Sequence, residues 1–137
     1  TIKGSQLKGV ELDMNQTPDA LPAMAVIACF AEGPTRLYNV PQARSKETDR
    51  ITCMAEELKK INIDAEELPD GLIIHPGELK PAKLDGRSDH RIVMALSIAG
   101  LLIDEPCSID TAEAMSVTFP NYVDLMKAIN ADMELLE

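Results

Sequence analysis

Two segments of the chain, residues 20–30 and 92–103, are apolar on nearly every side, the second interrupted only by Ser97 and Gly100. A helix without a polar face has to be enclosed by other protein. The longer run falls well short of the ~18 residues that a membrane-spanning helix needs. Both segments therefore read as buried helices in a layered globular fold.

The residues around them supply the layers. Residues 9–14 alternate apolar and polar as a strand does, and Pro18-Asp19 then introduces the first apolar helix, closed by Gly33. Residues 35–40 read as a strand. Ser45 is the expected N-cap of a one-sided helix whose stripe is Ile51, Met54, Ala55, Leu58 and Ile61. Residues 65–68 and 71–75 form a strand pair turning on Pro69-Asp70-Gly71. Ser88-Asp89 caps the second apolar helix, residues 107–110 read as a short strand, and Pro120 opens a last helix to about residue 130.

The order βαβαββ followed by βα-βα specifies an α/β or α+β layered domain with buried helices. The order also suggests two copies of one unit. Sliding the chain by 70 positions sets Asp19 on Asp89 and Met24 on Met94, and an offset of 68 sets Met54 on Tyr122, Leu58 on Met126 and Ile61 on Ile129. Chance register between amphipathic helices is the alternative. The units would cover residues 9–76 and 77–137, with no Gly/Ser-rich linker between them.

Composition bounds the core and the partners. With 3% aromatic residues, no Trp and seven Met among 137 residues, the core must be built from Leu, Ile, Val, Ala and Met. The net charge of −10, from 23 acidic and 13 basic residues, argues against a nucleic-acid or anionic-membrane surface. A small anionic ligand remains open, because it needs only a few gathered cations. Cys29, Cys53 and Cys107 are odd in number, far apart and without a C-x-x-C, so neither a disulfide framework nor a zinc site is expected. Residues 1–8 hold no apolar signal region, which suits a cytoplasmic protein, and the start at Thr1 suits a cut-out fragment.

Basic residues do gather. Arg44, Lys46 and Arg50 fall at the start of the second helix, and Arg87-Ser-Asp-His-Arg91 lies just before Ile92. Helix N-termini attract anions through unpaired N–H groups and the helix dipole. The plainer reading has Glu47 and Asp49 complementing the dipole and pairing Arg50, His90 facing solvent or capping, and Asp19 as an N-cap. The functional reading brings the helix starts at Asp19, Lys46 and Ser88 around one anion-binding cavity, since each follows a strand.

Asp13-Met-Asn-Gln-Thr-Pro-Asp-Ala20, Arg44-Ser-Lys-Glu-Thr-Asp-Arg-Ile51, Asp89-His-Arg-Ile-Val-Met94 and Thr118-Phe-Pro120, in this order and spacing, resemble the 5-enolpyruvylshikimate-3-phosphate synthase family. The resemblance runs from about Gly9 to the last helix and corresponds to roughly the final third of the family's chain. It implies two βαβαββ-type units of an inside-out α/β barrel domain whose helix N-termini face an interdomain cleft. It also implies transfer of the enolpyruvyl group of phosphoenolpyruvate to the 5-hydroxyl of shikimate 3-phosphate, in the shikimate pathway of aromatic amino acid biosynthesis. The missing N-terminal domain of the same chain would make this portion inactive alone, and a cytoplasmic monomer acting on small molecules is expected, with no metal or organic cofactor.

The resemblance carries roles to particular positions. Asp19 corresponds to the base on the 5-hydroxyl and Glu47 to the carboxylate in proton transfer at phosphoenolpyruvate. Lys46 matches a shikimate 3-phosphate contact, and Gln42 stands where some members have Asn in that subsite. Arg50 and Arg91 match the arginines that grip phosphoenolpyruvate, with His90 beside the second. Val117 departs from members with a Lys before Thr-Phe-Pro, which use it on phosphoenolpyruvate. The alternatives are the related enolpyruvyl transferase of cell-wall synthesis and a non-catalytic anion-binding domain, the second of which would have no need of both carboxylates.

Overall fold

The computed structural model describes residues 3–136. Strand β1 (Glu11–Asp13) leads through a 3-10 turn (Pro18–Ala20) into helix α1 (Leu21–Ala28) and on to strand β2 (Thr35–Tyr38). A second 3-10 segment (Pro41–Ser45) precedes helix α2 (Arg50–Lys60), followed by strands β3 (Asp64–Leu68) and β4 (Gly71–His75). Strand β5 (Lys83–Asp85), helix α3 (His90–Gly100), strand β6 (Ser108–Asp110), a third 3-10 segment (Ala112–Val117) and helix α4 (Tyr122–Ala128) complete the chain. The mixed helix and strand architecture is the expected α/β class.

Four strands form one sheet in the order β1-β2-β4-β3, with β1 and β2 parallel and the remaining pairs antiparallel. Strands β5 and β6 form a second, parallel pair. Helix α1 thus joins parallel strands β1 and β2, and α3 joins parallel strands β5 and β6. Each helix begins beyond the C-terminal end of a strand, the edge where layered α/β folds bind ligands.

Aliphatic side chains make the main core: Leu21, Leu37, Ile51, Met54, Leu58, Ile61, Ile63, Leu72, Ile74, Leu84 and Ile92 are almost fully buried. The stripe read on α2 is its buried face. Cys29 and Cys53 are buried free thiols, and burial pushes Cys29 up to about 12. Helices α1 and α3 pack on each other, and both end in tightened turns, with Phe30 N–H donating to Ile27 and Leu102 N–H to Ala99. Their enclosure within this chain is one-sided, because Ile27, Phe30, Ile98 and Leu102 remain exposed. Among the described residues no helix is long and apolar enough to cross a membrane.

Three local departures from the expected elements have physical causes. Helix α2 begins after Asp49 rather than Ser45, because Lys46 is extended and the Asp49 carboxylate accepts from Thr52 N–H at 3.0 Å while receiving Arg44 at 2.8 Å. Residues 112–117, unassigned in the sequence, form a 3-10 segment whose Met115 packs with Val93 and Tyr122. Asp19 makes no capping hydrogen bond at the start of its helix, because its carboxylate is engaged by Arg50 and Lys46 instead.

The Pro69-Asp70 turn closes the hairpin and also braces β2. Asn39 N–H donates to the Asp70 carboxylate and Val40 N–H to the Asp70 carbonyl, both at 2.9 Å. Gly71 is needed for this approach: a Cβ there would lie 1.9 Å from the Leu37 carbonyl oxygen. Gly71→Ala is therefore expected to cost about 1–3 kcal/mol, seen as a lowered urea midpoint at unchanged slope. A midpoint equal to the parent's would show that the hairpin can shift away from β2 freely.

Candidate active site

The site is built around one guanidinium. Arg50, the first residue of α2, is 1% exposed, and Asp89, the N-cap of α3, has a fully buried side chain. Arg50 Nε donates to Asp89 Oδ2 at 2.8 Å and Nη2 reaches Asp89 Oδ1 at 3.2 Å. Asp89 simultaneously caps α3, accepting Arg91 N–H at 2.8 Å. One carboxylate therefore joins the N-termini of two helices.

On its other side the buried Arg50 meets two carboxylates that reach the surface. Its Nη1 donates to Asp19 Oδ1 at 2.9 Å and its Nη2 to Glu47 Oε2 at 2.6 Å. Asp19 and Glu47 are each about half exposed. Lys46 Nζ lies 3.1 Å from Asp19 Oδ1, and Arg91 Nη2 lies 3.6 Å from Asp19 Oδ2. His90, in the first turn of α3 and buried, places Nδ1 4.0 Å from Glu47 Oε1. The bland expectation of a solvent-facing histidine gives way to a buried ring beside a carboxylate.

Two of these charges, Asp19 and Arg50, are favoured by their neighbours. Lys46 holds the Asp19 carboxyl below its ordinary value, with Arg91 and Arg50 adding to the effect against the cost of burial. For Arg50, burial opposes the charge, but Asp89 together with Glu47 and Asp19 more than offsets it and raises the guanidinium further. Counted side chain by side chain, Arg50, Lys46 and Arg91 face Asp19, Glu47 and Asp89. The ring is balanced, although the basic residues do gather at these helix starts.

Six of the seven expected site residues, Asp19, Lys46, Glu47, Arg50, His90 and Arg91, come together here. Gln42 does not join the ion cluster: its amide donates to the Asn15 carbonyl at 3.0 Å, in the loop after β1. Arg44, read with the anion-binding cations, works elsewhere. Its donors go to the Pro69 and Leu68 carbonyls and to Asp49, with Glu67 2.9 Å away, so it ties the hairpin to the start of α2. Lys46 and Glu47 sit in the loop before α2, not in its first turn. Val117 is 79% exposed at the end of its 3-10 segment. Asp89 was legible as a cap but not as the counter-ion of Arg50; both stand at helix starts 39 positions apart, and only the packing of α2 against α3 reveals the pair.

Residues 1–126 match the family described as EPSP synthase (3-phosphoshikimate 1-carboxyvinyltransferase). The chain belongs to the EPSP synthase family. It is 58% identical over 135 residues to the 3-phosphoshikimate 1-carboxyvinyltransferase of Ruminiclostridium cellulolyticum, covering 98% of this chain and 32% of that protein. It is 48% identical over 130 residues to the enzyme of the same name from Methanocaldococcus jannaschii, covering 94% of this chain and 30% of that one. EPSP synthase from Acinetobacter baumannii superposes with a TM-score of 0.89 at 32% identity, over 96% of this chain and 32% of that chain. The enolpyruvyl transferase NikO from Streptomyces tendae shares the fold, with a TM-score of 0.73 at 20% identity over 93% of this chain and 29% of that chain. The chain thus spans about a third of the length of the EPSP synthase relatives it matches.

Removing one member of a buried pair strands the other charge, so Asp89→Ala is expected to destabilise the full-length protein by about 3–5 kcal/mol, measured by urea denaturation. A loss under about 1 kcal/mol would show that Arg50 finds other partners. A pH dependence follows from the carboxylates. Thr52 N–H and Arg44 outweigh burial and lower Asp49, and Asp19 is lowered as described. A carboxyl lowered in the folded state adds stability above its unfolded value and loses it as pH falls through the folded one. The urea midpoint should therefore decline on acidification below about pH 4, and a midpoint that rises there would contradict the assignment.

Proposed function

We propose that the chain forms part of the active site of a transferase that moves the enolpyruvyl group of phosphoenolpyruvate to the 5-hydroxyl of shikimate 3-phosphate and releases phosphate. The observation that carries this reading is the pair of half-exposed carboxylates, Asp19 and Glu47, that share the buried Arg50 at the meeting of three helix starts. The names of the relatives agree with it.

The chemistry needs such a pair. The hydroxyl oxygen adds to the carbon bearing phosphate as a proton is added to the methylene carbon; phosphate and a proton then leave the tetrahedral intermediate and restore the double bond. A base must take the hydroxyl proton and an acid must serve the methylene carbon. In this reading Asp19, held ionised by Lys46, is the base, and Glu47 moves the proton at phosphoenolpyruvate with His90 beside it. Lys46 and Gln42 serve shikimate 3-phosphate. Arg50 and Arg91 serve phosphoenolpyruvate, Arg91 being the freer of the two at 41% exposure. A domain that only bound anions would need the cations but not both carboxylates.

Two multiply charged substrates exceed what a balanced ring can hold. Further cations must come from the part of the protein outside this third, so the chain by itself is expected to bind phosphate weakly and to turn nothing over. The same reading takes the working protein as a cytoplasmic monomer without nucleic-acid or membrane partners; the net charge of −10 supports the exclusion of polyanions.

In the full-length protein, Asp19→Ala and Glu47→Ala should each lower kcat about 10²–10⁴-fold while the folded state is retained. Phosphate release at near-parental rates would remove their proton-transfer roles. Arg91→Ala should raise KM for phosphoenolpyruvate more than for shikimate 3-phosphate, and Lys46→Ala the reverse; equal effects on both substrates would sink this division of labour.

A further inference from the structure

Asp89, His90 and Arg91 follow a backbone turn that ordinary side chains adopt reluctantly. Arg87 and Ser88 both lie in the left-handed region, at φ 53° and 54°, and Asp89 N–H closes the turn on the Gly86 carbonyl at 2.9 Å. Two consecutive positive-φ residues closed by such a bond make a type I′ turn, which favours Gly, Asn or Asp at both central positions. Here neither is one of these. Something outside the turn must therefore hold it.

The holding group is on α2. Glu57 is fully buried, and its Oε2 accepts Asp85 N–H at 2.9 Å, one residue before Gly86. Its Oε1 accepts Arg87 Nη2 at 3.2 Å, and both of its oxygens receive Lys60 Nζ at 2.8 Å. Arg87 Nη2 also donates to Glu56 at 2.6 Å, and its Nε lies 3.2 Å from Asp85 Oδ2. From the other side, Ser88 N–H donates to Thr111 Oγ1 at 3.0 Å and Gly86 N–H to the Asp110 carbonyl at 3.0 Å. Gly86 has no room for a side chain, since a Cβ there would lie 2.2 Å from Val93 Cγ2. The turn is clamped between α2 and β6, and only the α2 side is ionic.

We propose that Glu57 is a positioning residue: through Arg87 and the Asp85 amide it holds the left-handed turn that sets Asp89 against Arg50 and aims His90 and Arg91. It touches none of the residues assigned above to substrate. Its kinetic consequence rests on the proposed function, whereas its effect on the turn does not.

The test has two readouts in the full-length protein. Glu57→Gln keeps an oxygen for the Asp85 amide but turns an uncharged group toward Arg87 and Lys60. It should raise hydrogen exchange at the Ser88 and Asp89 amides at least about tenfold. It should also raise KM for phosphoenolpyruvate about ten- to hundredfold, with kcat changed less. Adding Ser88→Gly, which takes positive φ without a steric cost, should restore both toward the parent, a rescue that general destabilisation would not permit. Arg87→Ala cuts the same tether from the surface and should behave alike, which keeps the test open if Glu57→Gln does not fold. Unchanged exchange at Asp89 in a folded variant, or a KM that Ser88→Gly fails to restore, would overturn the proposal. Absence of enolpyruvyl transfer in the parent would instead strike the proposed function, and the exchange result would still decide the role of Glu57.

Discussion

The fold converges on a single buried ion pair. Arg50 and Asp89 carry a large desolvation cost, since each has lost essentially all contact with water. Such pairs are often no more stabilising than apolar residues of the same volume, so net stability does not explain this one. Geometry does. A guanidinium offers donors in a fixed planar fork, and with Nε and Nη2 committed to Asp89 the remaining directions are determined. Asp19 and Glu47 are held in those directions, and the starts of α1, α2 and α3 are thereby set against one another.

That arrangement gives the scarce bases of an acidic chain distinct tasks. Arg44 locks the hairpin to α2, Arg87 locks the turn before α3 to the middle of α2, and Arg50 unites the helix starts. Lys46 and Arg91 keep longer or more exposed contacts, both directed at Asp19. A balanced ring in which two of the cations keep longer or more exposed contacts differs from a pool of positive charge. In the proposed reaction it would orient an anion by exchange of partners rather than by bulk attraction.

Much of this was legible in the sequence. The all-round apolar character of residues 20–30 and 92–103 predicted α1 and α3, the stripe from Ile51 to Ile61 predicted the buried face of α2, and Pro69-Asp70-Gly71 predicted the hairpin, because each rests on local periodicity or turn chemistry. The start of α2 was not, since Asp49 prevails over Ser45 only through Arg44, whose placement depends on the hairpin some 25 residues later. The 3-10 segment at residues 112–117 leaves no signal in its own pattern, because its support is the packing of Met115 on Val93 and Tyr122. In the site, motif spacing picked out six of the residues that the packing gathers but not their charge balance. Composition counts charges without recording which of them face each other, and Asp89 completes the ring from a position that also reads as a plain cap.

The depressed Asp19 carboxyl poses a last physical question for the proposed reaction. A base held ionised by Lys46 and Arg91 is available at neutral pH, yet those same neighbours weaken its affinity for a proton. Anionic substrates resolve the conflict. A phosphate or carboxylate entering beside Asp19 would compete for Lys46 and Arg91, and every contact it drew away would weaken the attraction that lowers the Asp19 pKa, moving it toward the range where proton transfer is efficient. Arg50 cannot be drawn away in the same manner, since Asp89 anchors it from behind. Binding would then raise the basicity of Asp19 while leaving its position unchanged, so the ring becomes competent for proton transfer when its substrates are in place.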